Sequence, residues 1–506
     1  MKNIVLSVAT ASVLSVTGAF ADTASDLAEM KAMMSQMSQQ LQQNNTRLAQ
    51  LEAENKKLKS EKVQNTNHKK SVEKKQKKKT SLAKKKTKPA VKMAKAETFM
   101  PEPRSHITII DQKSPNFLLG KQTHINMKFV PEDAPKMWFK AGVRIQGTLE
   151  SKSTDKLNTL SSGLITSTDI NDAYLRRVRL EVAAGFGEHA SFVMDIRNDK
   201  SNYGIENTEG QFSVGDAYLK IKKPFNDSLV NFKLYRAKID VSRTETVKSA
   251  RVISYDRPFV ADYAAQYISF NRRGANVQMY GDWNKKIHYQ VAVGSASSPD
   301  KVLDAAGVKG STASVDLEKQ SFFFGGKVIL SPFDGWEETK RTETYFGVGK
   351  HFSVGVGYWA IPELAGTAST SAGTANFDLN RKLLNIEASM HYGGLFLGGE
   401  YFKFDDVVKK WAVDGDVTTG TSEGWYVTGE YVFPEFYYIA PYFRYESWDR
   451  FTESDGYDVT SATAGINWYL RGNTTKVGLS YQNNEYDVNT GDKNEDIFRV
   501  TSQWFF

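Results

Sequence analysis

The chain has 506 residues, a net charge of +8 and no cysteine, which excludes disulfides, thiolate metal sites and cysteine nucleophiles. Hydrophobic residues make up 40% of the chain. Beyond the N-terminus no apolar run reaches the roughly 18 residues that a transmembrane helix needs. A transmembrane β-barrel is not excluded, because only alternate residues of its strands face lipid.

Residues 1–21 have the pattern of a secretory signal peptide. Lys2 supplies a positive charge, residues 4–18 are mostly apolar, and Ala19-Phe20-Ala21 fits the small-x-small cleavage pattern. The mature chain is therefore expected to begin at Asp22, outside the cytoplasm.

Residues 22–62 follow a heptad pattern, which predicts an α-helical coiled coil. The core positions recur at alternating spacings of three and four, and all but two are apolar: Leu27, Met30, Met34, Met37, Leu41, Asn44, Leu48, Leu51, Asn55 and Leu58. A single helix would leave this stripe in water, so self-association is expected. Asn44 and Asn55 at core positions would fix the register, while two-stranded and three-stranded assemblies both stay open.

A lysine-rich segment, 63–97, leads to a connecting segment, 98–137. Residues 56–95 contain 17 Lys against two Glu, a charge of +15; the first 55 residues carry −2, so residues 96–506 carry −5. This composition predicts a disordered linker. It favours binding to an anionic polymer such as peptidoglycan or lipopolysaccharide, with a solvated spacer as the alternative. Nucleic acid is not an expected partner of an exported protein.

From residue 138 the sequence alternates with period two. Phe139, Val143 and Ile145 share one face of the first strand, whereas Lys140 and Arg144 lie on the other. The last strand alternates in the same way and ends on an aromatic residue at 506, which resembles the assembly signal of bacterial outer-membrane barrels. Hairpin turns are predicted at 350–351, 393–394, 434–435 and 471–473.

These features predict an all-β fold, a transmembrane antiparallel β-barrel over 138–506 preceded by the α-helical coiled coil. The many strands have aromatic ends and charged second faces, which a soluble sandwich does not need. Since no strand edge can face lipid unpaired, the sheet must close. The length suits about 16 strands, with 14 or 18 as alternatives.

Four short motifs stand out in this region: Leu175-Arg176-Arg177-Val178-Arg179-Leu180, Asp216-Ala217-Tyr218-Leu219, Gly465-Ile466-Asn467-Trp468-Tyr469-Leu470 and Lys476-Val477-Gly478-Leu479. In this order they resemble motifs of the phosphate-selective porin O and P family. The similarity covers roughly 138–506. It implies a homotrimer of 16-stranded barrels in the bacterial outer membrane, each protomer forming its own pore. The best-known members of the family, though not every relative, use a lumenal ladder of arginines and a lysine cluster to pass phosphate.

Strand parity selects the candidate pore-lining cations, which are Lys140, Arg144, Arg177, Arg179, Lys220, Lys233, Lys327, Arg444 and Arg499. Arg176 has lipid parity and is expected at the headgroup boundary, where an arginine can snorkel. Acidic residues such as Glu150 and Glu181 share the lumenal face, and together with the domain charge of −5 they leave anion and cation selectivity open.

A long segment, 236–274, is a candidate constriction loop. Its cations are Lys238, Arg243, Lys248, Arg251, Arg257, Arg272 and Arg273. Folded inward, they would focus anions in a low-dielectric throat. The alternative is an exposed loop whose cations bind lipopolysaccharide.

The sequence thus predicts a porin, a passive water-filled channel for small hydrophilic solutes or inorganic anions, without a cofactor or metal and without enzymatic activity. It would lie among outer-membrane lipid and lipopolysaccharide with its N-terminal extension in the periplasm. One alternative is a structural tether from the outer membrane to peptidoglycan through the coiled coil and residues 63–97. Another is an outer-membrane hydrolase, suggested only by the shared parity of Ser389 and His391.

Overall fold

The computed structural model describes residues 104–109, 117–119, 123–128, 137–158, 164–201, 211–225, 227–269, 272–297, 314–332, 343–344, 346, 350–370, 373–410, 417–487 and 492–505. The predicted signal peptide, coiled coil and lysine-rich linker lie outside the described residues. None of the helices within these ranges is long and apolar enough to cross a membrane.

Nineteen strands are described. They are β1 (Arg104–Ile109), β2 (Thr123–Lys128), β3 (Trp138–Asn158), β4 (Leu164–Phe186), β5 (Ala190–Ser201), β6 (Ser213–Lys222), β7 (Asn231–Arg236), β8 (Ala275–Trp283), β9 (Ile287–Gly294), β10 (Ser314–Gln320), β11 (Phe323–Leu330), β12 (Lys350–Thr370), β13 (Gly373–Tyr392), β14 (Leu395–Lys410), β15 (Thr418–Tyr431), β16 (Ile439–Asp449), β17 (Asp458–Asn473), β18 (Thr475–Tyr486) and β19 (Asp492–Phe505). Two helices follow β7: α1 (Arg243–Thr246) and α2 (Phe259–Ile268).

Strands β3 to β19 form one closed antiparallel sheet, while β1 and β2 form a separate hairpin. Strands β10 and β11 both pair with β12, so they occupy one strand position that is interrupted at 321–322. Pairing of β9 with β11 and of β19 with β3 closes the sheet on itself. The described part of the chain therefore builds the predicted 16-strand barrel, and closure satisfies the backbone groups that lipid could not.

The two faces of the wall differ as the alternation predicts. On β3, Val143, Ile145 and Leu149 are exposed, whereas Arg144 and Glu150, which have the opposite parity, are buried in the interior. Exposed large apolar side chains recur on the same outer face of the other strands. An outer face that is apolar around an interior that is polar is the arrangement of a barrel in a bilayer.

The two ends of the barrel also differ. At the end that we name the turn end, several connections are very short, such as 187–189, 284–286, 393–394 and 474. At the opposite end, the loop end, the longest connection runs from 237 to 274. Near the loop end the outer face of β13 becomes polar, with Asp378 and Asn380, and its inner face becomes apolar, with Phe377 and Leu379.

This inversion indicates where the wall leaves the bilayer. On the side of the inversion nearer the turn end, the outer face carries Tyr358, Tyr401, Trp425 and Tyr445. The rings of Trp425 and Tyr445 are 5.7 Å apart. Such a band matches an aromatic girdle at a membrane interface. Above it, the inner apolar residues pack with α2 in the main hydrophobic core.

Two predictions from local pattern are wrong. No turn occurs at 350–351, because Lys350 begins the uninterrupted strand β12 and His351 faces the interior, where a polar residue is normal.

The second wrong prediction concerns Arg176, which does not lie at a headgroup boundary. The register shifts between Gln146 and Gly147, so Arg176 occupies a bulge in β4 and is buried beside Arg177. Because a bulge adds one residue to a strand, the residues that precede it face the opposite side from the one that simple alternation predicts. The predicted turn at 393–394 is confirmed, and the predicted 471–473 turn occurs at Thr474.

Candidate functional site: a constricted, cation-lined lumen

Residues 237–269 and 272–274, which we name the inner loop, fold into the barrel. Most of its described residues are buried, including Ala237, Ser242, Glu245 and Ile253. Its contacts reach walls on opposite sides, since Lys327 of β11 lies 3.4 Å from Asp240 and Arg144 of β3 donates to Ser249 at 2.9 Å. The loop therefore crosses the lumen.

Carboxylates of the wall bind the backbone of the inner loop on one side. Glu400 of β14 accepts hydrogen bonds from the Ser242 hydroxyl at 2.8 Å and from the N–H groups of Arg243 at 2.9 Å and Thr244 at 3.1 Å, at the start of α1. Glu446 of β16 accepts from the Phe259 N–H, at the start of α2, at 2.6 Å. Helix starts have free N–H groups, so these acids satisfy donors that would otherwise be buried unpaired.

The extended stretch between the two helices is held through its carbonyl groups. Gln503 donates to Ala250 O at 3.1 Å, Lys476 to Val252 O at 2.6 Å and Asn467 to Ile253 O at 3.1 Å. Arg444 donates to Asp256 O at 2.7 Å. Strands β16 to β19 thus fix successive peptide groups of the loop.

The other side of the inner loop carries a cluster of three cations around Glu245, and one of them, Arg272, also pairs with Asp262. The Glu245 carboxylate lies 2.5 Å from Lys238 Nζ, 3.1 Å from Arg257 Nε and 3.6 Å from Arg272 Nη1. Burial by itself would raise the pKa of Glu245, but Arg257, Lys238 and Arg272 outweigh it and hold that pKa well below its ordinary value. Glu245 is therefore ionised, and it fixes three cations in one place. Burial lowers the pKa of Lys238, with Glu245 opposing the shift.

Arginines of the wall face this cluster. Arg144, Arg179 and Arg197 are direct cross-strand partners on β3, β4 and β5. Like charges directly opposite each other are unfavourable, and neighbouring acids compensate only in part.

These wall arginines and their neighbours form ion pairs with interior acids. Glu181 lies 2.6 Å from both Arg144 and Lys248, Asp199 lies 3.0 Å from Arg179, and Asp216 lies 2.7 Å from Arg273. Asp199 and Asp216 are about one third exposed on an inward face, so water reaches this part of the lumen.

Nearer the turn end, two lysines lie opposite each other. Lys220 of β6 and Lys233 of β7 are cross-strand partners, and their ammonium groups lie 5.4 and 5.2 Å from the ring of Tyr280. A shared aromatic face stabilises both cations.

The sequence-predicted cations differ in exposure. The water-accessible side carries Arg179, Lys220, Lys233, Lys238, Lys248, Arg257 and Arg272, joined by Arg499, which pairs with Glu150 at 2.5 Å and Asp256 at 2.9 Å. A second set is no more than 9% exposed: Arg144, Arg177, Arg243, Arg251, Arg273, Lys327 and Arg444. Lys140 lies on the inward face 4.9 Å from the Trp138 ring.

Residue-by-residue reasoning missed three participants. Arg197 stands on the inward face of a short strand whose alternation is weak, and Glu245 becomes important only because the loop folds back on itself. Arg176 binds Asp256 from its bulge. The cross-strand position of Arg197 opposite Arg179 could be found from the sequence once the β4–β5 register is known.

The residues considered for other chemistry have wall contacts. The Ser389 hydroxyl lies 2.9 Å from that of Ser353, and the His391 ring lies 4.8 Å from Phe396 and 6.2 Å from its cross-strand partner His351. Within the described ranges, no group of three His, Asp or Glu side chains could hold a metal ion.

A closed barrel with an apolar outer band, and with a charged lumen narrowed by an inner loop, defines a membrane channel of the porin class. A model of the family "phosphate-selective porin O and P" matches residues 162–506, so the chain belongs to that family. The protein is an outer-membrane porin, a passive channel.

Solved structures of outer-membrane channels resemble it at low identity. The channel DcaP of Acinetobacter baumannii is 13% identical, with a TM-score of 0.49, covering 75% of this chain and 99% of that one. An anion-selective porin from Comamonas acidovorans is 10% identical, with a TM-score of 0.47, covering 73% and 100%. OprB of Pseudomonas putida is 11% identical, with a TM-score of 0.47, covering 73% and 94%. No curated protein matches the sequence.

Proposed function

We propose that this porin is selective for small inorganic anions, phosphate among them. The observation that carries the proposal is the separation of charge in the lumen. Glu387, Glu400 and Glu446 are no more than 4% exposed, because they bind the inner loop or a buried lysine. These three acids contribute to the net negative charge of residues 96–506, but they are buried and already paired, so they act less on a permeating ion than exposed acids would.

The cations on the water-accessible side outnumber the acids beside them. Lys238, Arg257 and Arg272 share Glu245, Arg272 also pairs with Asp262, and Arg179 and Arg197 add two more positive charges. Cations in a narrow, low-dielectric passage raise the local concentration of anions and repel cations. An anion leaving this constriction toward the turn end next meets Lys220 and Lys233. Several weak sites in series suit conduction, since an ion must be able to leave each of them.

The test is the reversal potential of the purified full-length protein in a planar bilayer under a KCl gradient, repeated with added phosphate. We expect a chloride-selective current that phosphate blocks. A cation-selective or unselective current that is insensitive to phosphate would refute the proposal and leave a general porin. Well-folded protein without conductance would favour the tether instead.

We also propose the assembly that the N-terminal sequence and the family resemblance suggest. The protein would be a homotrimer, with residues 22–62 as a periplasmic coiled coil, residues 63–97 as a cationic linker to peptidoglycan, residues 98–137 as a connecting segment and residues 138–506 as the barrel among lipid and lipopolysaccharide. Deletion of 22–97 should leave barrel trimers and weaken retention with sedimented peptidoglycan. Equal retention of the deleted and complete proteins would remove the tether.

A further inference from the structure

One connection at the turn end is unusually long. The strands β11 and β12 are joined by 331–349, a length of 19 residues, whereas β13 and β14 are joined by two. The residues of this connection that the structure describes near β12 are inside the protein: Glu343, Thr344 and Phe346 are 8%, 2% and 1% exposed. A connection at the rim would be solvated, so these residues enter the lumen from the turn end.

Glu343 binds the inner loop directly. Its carboxylate accepts hydrogen bonds from the Ile253 N–H at 2.6 Å and from the Thr244 hydroxyl at 3.2 Å, and its own N–H donates to Arg251 O at 3.4 Å. Thr244 precedes Glu245, the acid at the centre of the cation cluster. Glu343 therefore supports the inner loop from the side of the turn end, next to the constriction.

Thr344 joins this contact to the wall. It hydrogen-bonds Glu430 of β15, whose carboxylate also accepts from the Tyr469 hydroxyl at 2.6 Å and from Asn467 at 3.2 Å. Asn467 in turn binds Ile253 O of the inner loop. The connection, the wall and the loop thus share one hydrogen-bond network, in which a shift of one member affects the others.

Phe346 joins the same connection to the segment that precedes the barrel. Its ring lies 5.3 Å from the ring of Phe117 and 4.9 Å from that of Tyr469, and Phe117 lies 4.2 Å from Tyr438. Phe117 is only 5% exposed.

Two residues further on, the backbone of Leu119 is held by β17. Its N–H donates to Leu470 O at 2.9 Å, and its carbonyl accepts from Arg471 at 2.9 and 2.7 Å. Residues 117–119 are therefore fixed to the turn end by both side-chain and backbone contacts.

We propose that Phe117, Phe346 and Glu343 form a latch through which the segment before the barrel holds the inner loop in its constricting position. The chain of contacts is continuous: Phe117 packs on Phe346, Thr344 and Glu343 follow on the same connection, and Glu343 binds Thr244 and Ile253. Displacement of residues 117–119 removes one side of the aromatic cluster and loosens the connection, so the inner loop gains mobility. Residues 117–119 then influence the width of the pore.

The latch deepens the proposed function, since it rests on the inner loop as the constriction of the channel. Its signal is loop mobility, which is independent of the sign of the selectivity. A single spin label can be attached at Lys248→Cys, because the chain has no other cysteine and this side chain is 56% exposed. The label reports the mobility of the inner loop in the full-length protein. Single-channel current recordings report how often the channel closes.

The variants are Phe117→Ala and Glu343→Ala, with Phe436→Ala as the matched control, an aromatic residue that is 62% exposed at the same end. Both latch variants should raise the label's mobility and increase the frequency of current closures several-fold, while the control leaves both unchanged. Glu343→Gln should act weakly, because its amide oxygen still accepts from Ile253.

Each alternative outcome is informative. If folded Phe117→Ala barrels behave as the control does while Glu343→Ala loosens the loop, the connection supports the loop but the N-terminal segment does not, and the latch is refuted. If both variants match the control, Glu343 has no positioning role and the latch is refuted as well. A cation-selective unmodified protein would refute the proposed anion selectivity and leave the mobility result intact.

Discussion

Replacing Glu245 with Gln tests the electrostatics of the constriction directly. The change removes one negative charge from the centre of Lys238, Arg257 and Arg272 and keeps the shape of the side chain. An anion beside those cations passes at about 7 Å from the carboxylate, where one unit charge contributes about 0.6 kcal/mol in water and about 2.4 kcal/mol at an effective dielectric constant of 20. Since about 1.4 kcal/mol corresponds to a factor of ten, anion selectivity should increase at least about threefold.

The assay is the permeability ratio of chloride to potassium, taken from the reversal potential at about 0.1 M salt, where the screening length of about 10 Å leaves the effect visible. The matched control is Glu423→Gln, which changes the net charge equally but removes an acid paired with Lys403 on the outer face. Heat-modifiable gel mobility verifies that each variant forms a closed barrel. If Glu245→Gln shows the same ratio as Glu423→Gln, the cluster does not line the path of the ion.

Three further predictions concern neighbouring groups. Changing Lys220 and Lys233 together to Gln should weaken the phosphate block about tenfold for each charge-assisted hydrogen bond that the change removes, measured as the half-blocking concentration; an unchanged value would remove this pair from the path. Glu400→Ala leaves buried N–H donors of the inner loop unpaired, at about 1–3 kcal/mol each, so open-channel noise should rise, and noise equal to that of the unmodified protein would show that Glu400 does not hold the loop. Because burial lowers the pKa of Lys238, a rising pH should neutralise it before an ordinary lysine and reduce anion selectivity; Lys238→Arg should abolish that pH dependence, and an equal decline in both proteins would place the titration elsewhere.

The barrel could be predicted from the sequence because its cause is local. In a membrane-spanning strand, successive side chains meet lipid and lumen in turn, so the faces of Val143 and Arg144 follow without knowledge of any partner strand. The turn at 393–394 is equally local. Family motifs added the number of strands, which alternation alone leaves open.

Local pattern failed where the geometry depends on a neighbouring strand. The bulge at Arg176 arises from the register of β4 against β3, and no feature of β4 alone shows that two successive arginines point inward. In the same way, the polar pair at 350–351 has the composition of a turn, although it only begins a strand whose inner face tolerates polar residues.

The sequence by itself thus determined a closed barrel, its two faces and a long basic segment between two strands, because alternation and length act within each element. Only the tertiary structure decided the site. It placed Glu245 among three cations that are 7, 12 and 27 residues away, and it paired Arg179 with Arg197 across strands. It also moved the acids Glu400 and Glu446 out of the solvent by binding them to the inner loop. Net charge sums all of these residues equally, whereas a permeating ion responds to distance and burial, which are set only when the chain is folded.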